Sequence, residues 1–309
     1  MRIVPSISSE DLETIKNALY IVKDQGYNVV VEELDDIINR SSTHRIDVLD
    51  HGFIELVDWM GDDHSVANAA RVSYLNHEKR RKFGERNEGK FPKNTDGYLT
   101  QYLLENKHTS PFEMIELKFV IQLPIFVARQ WVRHRTASLN ESSARYTELP
   151  ELYYSPHVWR RQDAKNKQSS GGSIDNQIAA KLIYSYIEDQ NLNTEMELRK
   201  LGVANEMARL PMSVSRYTQW VWKIDLHNFL HFLLLRDDPH AQWEIQEYAK
   251  AARILVTEKF PRIMEIVDYI ESQKKEEEKI LNLIRESNVS WESLSLILNN
   301  ISKKNTAEV

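Results

Sequence analysis

The sequence contains no cysteine. A chain without thiols forms no disulfide, offers no thiolate to a metal ion and has no cysteine nucleophile. This absence excludes every enzyme class in which the reaction begins at a reactive sulfur atom. Binding and catalysis in this protein must therefore rest on oxygen and nitrogen groups.

Glycine-rich motifs and long apolar runs are also missing. The nine glycines are scattered and form neither a Gly-x-Gly-x-x-Gly run nor a P-loop, so a Rossmann-type nucleotide site has no support. The apolar run at 229–235 is too short to span a bilayer, and residues 1–30 lack the features of a secretion signal. We therefore expect a cytoplasmic protein without a membrane partner.

Positive charge is in the minority, because the formal net charge is −6. A protein that coats nucleic acid needs a broad basic face, so no nucleic-acid partner is expected. The basic side chains are instead concentrated within residues 126–146, where the chain carries Arg129, Arg133, His134, Arg135 and Arg145. Local positive charge of this kind indicates a binding site.

The first half of this stretch has helical spacing, and the second half has none. Pro124 suits a first helical turn and is followed at helical spacing by Phe126, Val127, Gln130 and Trp131. After Arg135 a loop is predicted, over Thr136, Ser138, Asn140, Ser142 and Ser143. Guanidinium groups and free backbone amides match phosphate oxygens. From the residues alone two interpretations stay open: a phosphate site for a small anionic ligand, or a solvated, salt-bridged helix end with a polar loop.

The motif Arg133-His134-Arg135, followed after seven residues by Ser143, resembles the signature of the flavin-dependent thymidylate synthases. The flanks also match the family, at Arg129-Gln130-Trp131, Asn140-Glu141 and Arg145-Tyr146. The resemblance extends over residues 47–270. It implies transfer of one carbon from 5,10-methylenetetrahydrofolate to dUMP, with FAD, reduced by NADPH, as the hydride source. It also implies a homotetramer whose sites draw residues from several subunits.

The resemblance implies a role for each matching position. Arg236 is expected to be catalytic, because it would face the pyrimidine ring and help to activate it. The residues implied for dUMP are Gln130, Arg133, Glu141, Ser142, Ser143, Arg145, Arg209 and Arg236. The residues implied for FAD are Ser110, Arg133, His134, Arg135, Glu141, Asp225, His227 and His231. Many members carry Asn, Arg and Asn in the last three of these positions, so this chain departs from the family there.

The missing cysteine bears on this reaction directly. Flavin-independent thymidylate synthases attack uracil with a Cys thiolate, so if this chain makes thymidylate it must activate the pyrimidine in another way. Ser143 has no His or Lys beside it in sequence, which favours phosphate binding over a nucleophilic role. His227 and His231 have the spacing of metal ligands, but a third ligand is missing and no metal is expected. The alternative function is a non-catalytic nucleotide- or RNA-binding module that uses the basic loop.

The predicted fold class is α+β, with an antiparallel-rich sheet and long helices. Residues 1–43 are interpreted as an N-terminal extension, 44–270 as the catalytic domain and 271–309 as a charged helical C-terminal extension. Strands are predicted at 47–61, 114–123 and 213–223, and long helices at 177–201 and from 240 to about 270. Residues 160–176 are predicted to be a surface loop. Asp62 or Asp63 is expected to cap the helix through Val66, and Asp225 the helix that follows it.

Overall fold

The computed structural model describes residues 44–74, 81–87, 90–146, 149–164 and 170–286. The predicted N-terminal extension at 1–43 lies outside these residues, and so does the chain after residue 286. None of the helices in the described part has the length and apolar content needed to cross a bilayer.

A five-stranded antiparallel sheet forms the centre of the molecule, with the strand order β1-β2-β3-β7-β4. Its strands are β1 Arg45–Val48, β2 Gly52–Met60, β3 Glu116–Pro124, β4 Ser138–Glu141 and β7 Tyr217–Asp225. A separate two-stranded hairpin consists of β5 Arg160–Gln162 and β6 Ser170–Ser173. The sheet class predicted from the alternating sequence pattern is therefore the observed one.

The described part of the chain contains eight α-helices. They are α1 Ser65–Arg71, α2 Asp96–Glu105, α3 Ile125–Trp131, α4 Gln177–Lys200, α5 Asn205–Ala208, α6 Leu226–Arg236, α7 Trp243–Lys259 and α8 Pro261–Glu286. The long helix predicted at 177–201 is α4. The predicted cap is also present, because the Asp225 carboxylate accepts a hydrogen bond from the Asn228 backbone N–H at 2.9 Å.

Aromatic side chains join the sheet to the helices that cover one of its faces. Phe119 of β3 lies 5.6 Å from Trp222 of β7 and 5.9 Å from Phe229 of α6, measured between ring centroids. All three rings are buried. Burying a large apolar side chain stabilises a fold by roughly 1.5–3 kcal/mol. On the opposite face Val221 and Lys223 are exposed, so β7 has the alternation of a strand with one buried face.

The predicted strand at 47–61 is wrong in one respect, because the segment is a hairpin rather than a single strand. The chain reverses between β1 and β2, where Leu49 adopts a positive φ of 62°. Gly52 then begins β2 beneath the Tyr248 hydroxyl, and a Cβ at this position would lie 1.9 Å from that oxygen. A distant aromatic residue thus accounts for the glycine after the turn.

The long helix predicted from 240 to about 270 is also wrong, because Pro261 divides it into α7 and α8. Proline lacks the backbone N–H that a continuous helix needs, but it suits the first position of a new one. The Asp63 carboxylate caps α8 by accepting the N–H groups of Arg262 at 3.1 Å and Ile263 at 2.9 Å. Neither Asp62 nor Asp63 caps α1, whose N-cap residue His64 makes no side-chain cap hydrogen bond.

Two polar segments predicted to be loops contain strands instead. The Ser138–Glu141 segment is β4, and its backbone pairs with β7 from Lys223 to Trp220. The predicted surface loop at 160–176 contains the hairpin of β5 and β6. The side chains of β4 are all exposed, and those of β5 and β6 are exposed or half-buried. Such strands lack the alternation of apolar and polar residues by which a half-buried strand is recognised in sequence.

Candidate active site

The C-terminal ends of α3 and α6 meet at the edge of the core. Beyond α3 the chain turns, and the His134 N–H donates to the Trp131 carbonyl at 3.0 Å. Arg236, the last residue of α6, donates from Nε to His134 Nε2 at 3.0 Å and from Nη2 to the Gln130 carbonyl at 3.2 Å. One guanidinium therefore joins the two helix ends.

Aromatic packing fixes the relative position of these helix ends. Trp131 is fully buried and stacks on Phe232 of α6, with 4.6 Å between ring centroids. The His134 ring lies edge-on to Phe232 at 5.0 Å. Stacked and edge-to-face aromatic pairs add about 0.5–1.5 kcal/mol beyond the burial of their area. The Arg236–His134 contact therefore rests on the hydrophobic core.

The electrostatics of this contact keep His134 neutral. Burial, the positive charge of Arg236 and the nearby His231 together lower the pKa of His134 to about 4, with burial the largest cause. A neutral imidazole can accept from Arg236 at Nε2 only when its proton is on Nδ1. Burial also lowers the pKa of Arg236. At neutral pH the pair thus carries one positive charge, on the guanidinium.

A cavity of about 480 Å³ opens beside this pair. Its lining combines basic and hydrogen-bonding side chains with two aliphatic ones: Arg133, His134, Arg135, Thr136, Ile224, His227, Asn228, His231, Leu235 and Arg236. Of the described residues that line it, none is acidic. The structure thus brings together a cavity group, which we define as Arg133, His134, Arg135, His227, His231 and Arg236. This set of donors suits an anionic ligand.

Of the six predicted dUMP residues that do not line the cavity, Gln130 contacts Arg236 through its backbone carbonyl. The other five are defined as the loop group: Glu141, Ser142, Ser143, Arg145 and Arg209. Arg145 lies 3.4 Å from the Glu206 carboxylate, and Arg209 Nε donates to the Glu206 carbonyl at 3.4 Å. The loop after β4 and the end of α5 therefore place two guanidinium groups around one residue. The Ser143 hydroxyl accepts the Arg145 N–H at 3.3 Å.

Ser142 and Glu141 are tied to β7 rather than to the cavity. The Ser142 hydroxyl donates to the Gln219 carbonyl at 3.0 Å, and Glu141 accepts from the Thr218 hydroxyl at 2.7 Å. No His or Lys of the described residues contacts the Ser143 hydroxyl. An activated serine needs such a base, so the arrangement suits a binding role.

Within one chain the loop group does not line the cavity. The chain runs from the cavity group through β4, whose last residue Glu141 begins the loop group. The cavity lining includes none of Ser143, Arg145 and Arg209. It also lacks Ser110, which is exposed in the turn before Pro111, and Asp225, whose carboxylate is engaged as the α6 cap.

Some cavity residues were not predicted from the sequence as site residues. Asn228 and Leu235 line the cavity from the same face of α6 as His231, to which they are related by helical spacing. That spacing was the available signal, but of these three residues only His231 was predicted as a site residue. Thr136 lines the cavity too, although it was predicted only as part of the loop. In the described part of the chain no group of three potential ligands could hold a metal ion.

The comparison with known families decides what this site belongs to. The family model described as "Thymidylate synthase complementing protein" matches residues 55–262 of this chain. The chain belongs to that family. The family predicted from the motif is thereby confirmed.

Relatives and solved structures agree with this assignment. A flavin-dependent thymidylate synthase from Thermus thermophilus is 46% identical over 216 residues, covering 70% of this chain and 75% of that protein. One from Wolbachia pipientis wMel is 46% identical over 227 residues, covering 72% and 74%. The UMP/dUMP methylase PolB from Streptomyces cacaoi bound with 5-Br dUMP has a TM-score of 0.62 at 29% identity, covering 72% of this chain and 96% of that one. The α+β fold prediction is confirmed as well.

Proposed function

We propose that this protein is a flavin-dependent thymidylate synthase. It would convert dUMP to dTMP with carbon from 5,10-methylenetetrahydrofolate, using FAD that NADPH reduces. The observation that carries the proposal is the position of Arg236, a partly buried guanidinium at a cationic cavity in a chain without cysteine. The proposed catalytic domain is 44–270, which contains the residues matched by the family model. A cytoplasmic location is part of the proposal.

The cavity chemistry fits an anionic flavin dinucleotide. Arg133, Arg135, His227 and His231 offer donors, and Ile224 and Leu235 offer apolar surface beside them. Pockets for cofactors combine these features, with apolar walls and a few well-placed polar groups. The further FAD contacts that we propose are Ser110, His134, Glu141 and Asp225. When bound, the reduced flavin supplies the hydride that completes the methyl group.

Arg236 is proposed to polarise the uracil ring. Its Nε is engaged by neutral His134 and one Nη by the Gln130 carbonyl, so the direction of the guanidinium is set before substrate binds. A fixed cation near the pyrimidine stabilises the negative charge that develops as C5 becomes nucleophilic. Because His134 is neutral, it holds Arg236 without adding a competing positive charge beside it.

The loop group is proposed to bind the dUMP phosphate. Arg145 and Arg209 supply charged donors, and Ser143 supplies a hydroxyl. Glu206 neutralises part of this charge. We expect phosphate to replace Glu206 as the partner of Arg145, since the ion pair is exposed and therefore weak.

We further propose a homotetramer whose sites are shared between subunits. Helix α4 carries an exposed apolar strip at helical spacing, formed by Ile178, Leu182, Ile183, Tyr186 and Ile187. Contiguous apolar surface of this kind is typical of a protein–protein contact. A partner chain would also supply a loop group at the cavity, whose lining within one chain includes none of the loop group.

One preparation tests the activity. The purified protein should absorb in the flavin region and should form dTMP from dUMP only when folate, NADPH and flavin are all present. A colourless protein that forms no dTMP with all components supplied contradicts the proposal. A non-catalytic RNA-binding module is the less favoured function, because the cavity group converges on a pocket rather than on a broad basic face.

A further inference from the structure

A buried carboxylate outside the predicted site is connected to it through two carboxamides. Glu244, at the start of α7, accepts at Oε1 from the Tyr154 hydroxyl at 3.0 Å and from Arg160. At Oε2 it accepts from Gln242 Nε2 at 2.9 Å. Gln242 Oε1 in turn accepts from Gln130 Nε2. We call the series Glu244–Gln242–Gln130 the relay.

The carboxylate determines the orientation of both amides in the relay. Glu244 is ion-paired with Arg160 and only 2% exposed, and an ionised carboxylate accepts hydrogen bonds but donates none. Gln242 must therefore turn its NH₂ group toward Glu244 and its carbonyl toward Gln130. Gln130 must then turn its own NH₂ group toward Gln242. Without the negative charge on Glu244, either carboxamide could turn by roughly 180° about its last side-chain bond. The turn would exchange the positions of its oxygen and its NH₂ group without changing its shape.

The end of the relay lies at the catalytic arginine. The backbone carbonyl of Gln130 accepts from Arg236, so the residue whose amide is oriented also holds the guanidinium. Gln130 is partly buried, and within the described chain its Oε1 and its second N–H have no protein partner. These two groups remain for a ligand. Hydrogen bonds in series strengthen one another, so the distant charge also makes the Gln130 Oε1 a better acceptor.

We propose that Glu244 and Gln242 are positioning residues for dUMP binding, acting through the carboxamide of Gln130. This inference rests on the proposed function and on the dUMP contact that the family resemblance implies for Gln130. The Oε1 of Gln130 would accept a hydrogen bond from an N–H of the nucleotide base. A buried charge carries a desolvation cost, and here Arg160, Tyr154 and Gln242 satisfy its two oxygens.

The main test interrupts the relay without disturbing the ion pair. Gln242→Met keeps an unbranched side chain of similar length, removes both hydrogen bonds of the amide and leaves Glu244 with Arg160 and Tyr154. We expect the KM for dUMP to rise by about five- to tenfold, because one oriented hydrogen bond is lost. We expect kcat to stay within about twofold and the flavin content to be unchanged, with a lower melting temperature because the buried Glu244 Oε2 loses its donor.

A matched control removes a hydrogen bond on the other side of the carboxylate. Tyr154→Phe deletes one donor to Oε1 and leaves Oε2, Gln242 and Gln130 as they are. The KM for dUMP should then stay at its wild-type value. An equal rise of KM in Tyr154→Phe and Gln242→Met overturns the proposal, because it means that general loosening of the cluster is sufficient.

Exchanging the side chains at positions 242 and 244 tests whether a negative charge in the relay orients the Gln130 carboxamide. Glu244→Gln alone lets both amides rotate and should raise the KM for dUMP as Gln242→Met does. In the double variant Q242E/E244Q a carboxylate again faces Gln130, and Gln at 244 can still accept from Arg160 and Tyr154. We expect its KM to return to within about twofold of the wild type.

The results separate failure of the relay from failure of the proposed function. A wild-type KM for dUMP in Gln242→Met overturns the relay alone, provided that the wild-type protein forms dTMP. A wild-type protein that neither binds dUMP in calorimetry nor forms dTMP overturns both. If Glu244→Gln does not fold, Gln242→Met and its control still decide, since they leave the buried ion pair intact.

Discussion

The Arg236–His134 pair of the cavity group and the arginines of the loop group are held in different ways. Arg236 and His134 are partly buried and supported by the Trp131–Phe232 stack, so their geometry exists before any ligand binds. Arg145 is exposed and contacts only surface groups such as Glu206. Catalytic electrostatics require fixed donors, whereas phosphate binding tolerates side chains that move to the ligand. From this contrast we expect the preorganised Arg236–His134 pair to stabilise the reaction and the exposed Arg145 to bind the phosphate of the substrate.

The largest effect is expected when the guanidinium of Arg236 is removed. Arg236→Ala should lower kcat by about a hundredfold, because the loss of one preorganised donor costs on the order of 3 kcal/mol of barrier. The flavin absorbance of the protein should persist. Arg161→Ala is the control, since Arg161 is an exposed arginine paired with Asp175, and it should have no effect. dTMP formation within tenfold of wild type would rule out the role of Arg236.

Mixed oligomers test whether the two groups act across subunits. Arg236→Ala and Arg145→Ala chains, co-expressed with different tags, should form oligomers in which some sites combine one intact cavity group with one intact loop group. For a site built from two chains, random mixing restores about a quarter of the sites. The dTMP assay on the doubly purified species measures this. Activity no higher than the mean of the two separate variants would place both groups of a site in one chain.

A smaller effect is expected from the loop group itself. Ser143→Ala should raise the KM for dUMP by about three- to tenfold, the usual effect of removing one hydrogen bond, with kcat largely retained. Steady-state kinetics at varied dUMP concentration measure both quantities. Complete loss of turnover with unchanged dUMP affinity would instead identify Ser143 as the nucleophile.

The smallest effect concerns proton uptake by His134. Its folded pKa of about 4 lies below the ordinary value of 6.5, so between these values the unfolded chain binds more protons than the folded one. This contribution to stability is present above pH 6.5 and is lost as the pH falls toward 4. The variant His134→Gln keeps an acceptor for Arg236 but does not titrate. Denaturant unfolding should therefore be less pH-dependent in this variant between pH 6.5 and 4, and equal slopes would contradict the assignment.

Sequence patterns predicted the elements that are buried on one face. β3, β7, α4 and α6 were expected because apolar residues recur at periods that a strand or a helix imposes. β4 and the hairpin of β5 and β6 were not, because exposed polar strands are stabilised by backbone pairing with a partner that is distant in sequence. The cap of α8 was missed for a similar reason. Asp63 has helix-start character locally, but the helix it caps begins almost two hundred residues later.

By itself the sequence determined the family, the α+β class and the chemical types at the site: arginines and histidines, hydroxyls, and no sulfur nucleophile. Those properties depend on residue identity and on short spacings along the chain, and both can be read directly from the amino-acid sequence. Only the tertiary structure decided that Arg236 meets His134 and Gln130, that the loop group lies apart from the cavity, and that Glu244 is connected to Gln130. Each of these depends on contacts across a hundred residues or so, set by how the helices pack on the sheet and not by any local pattern.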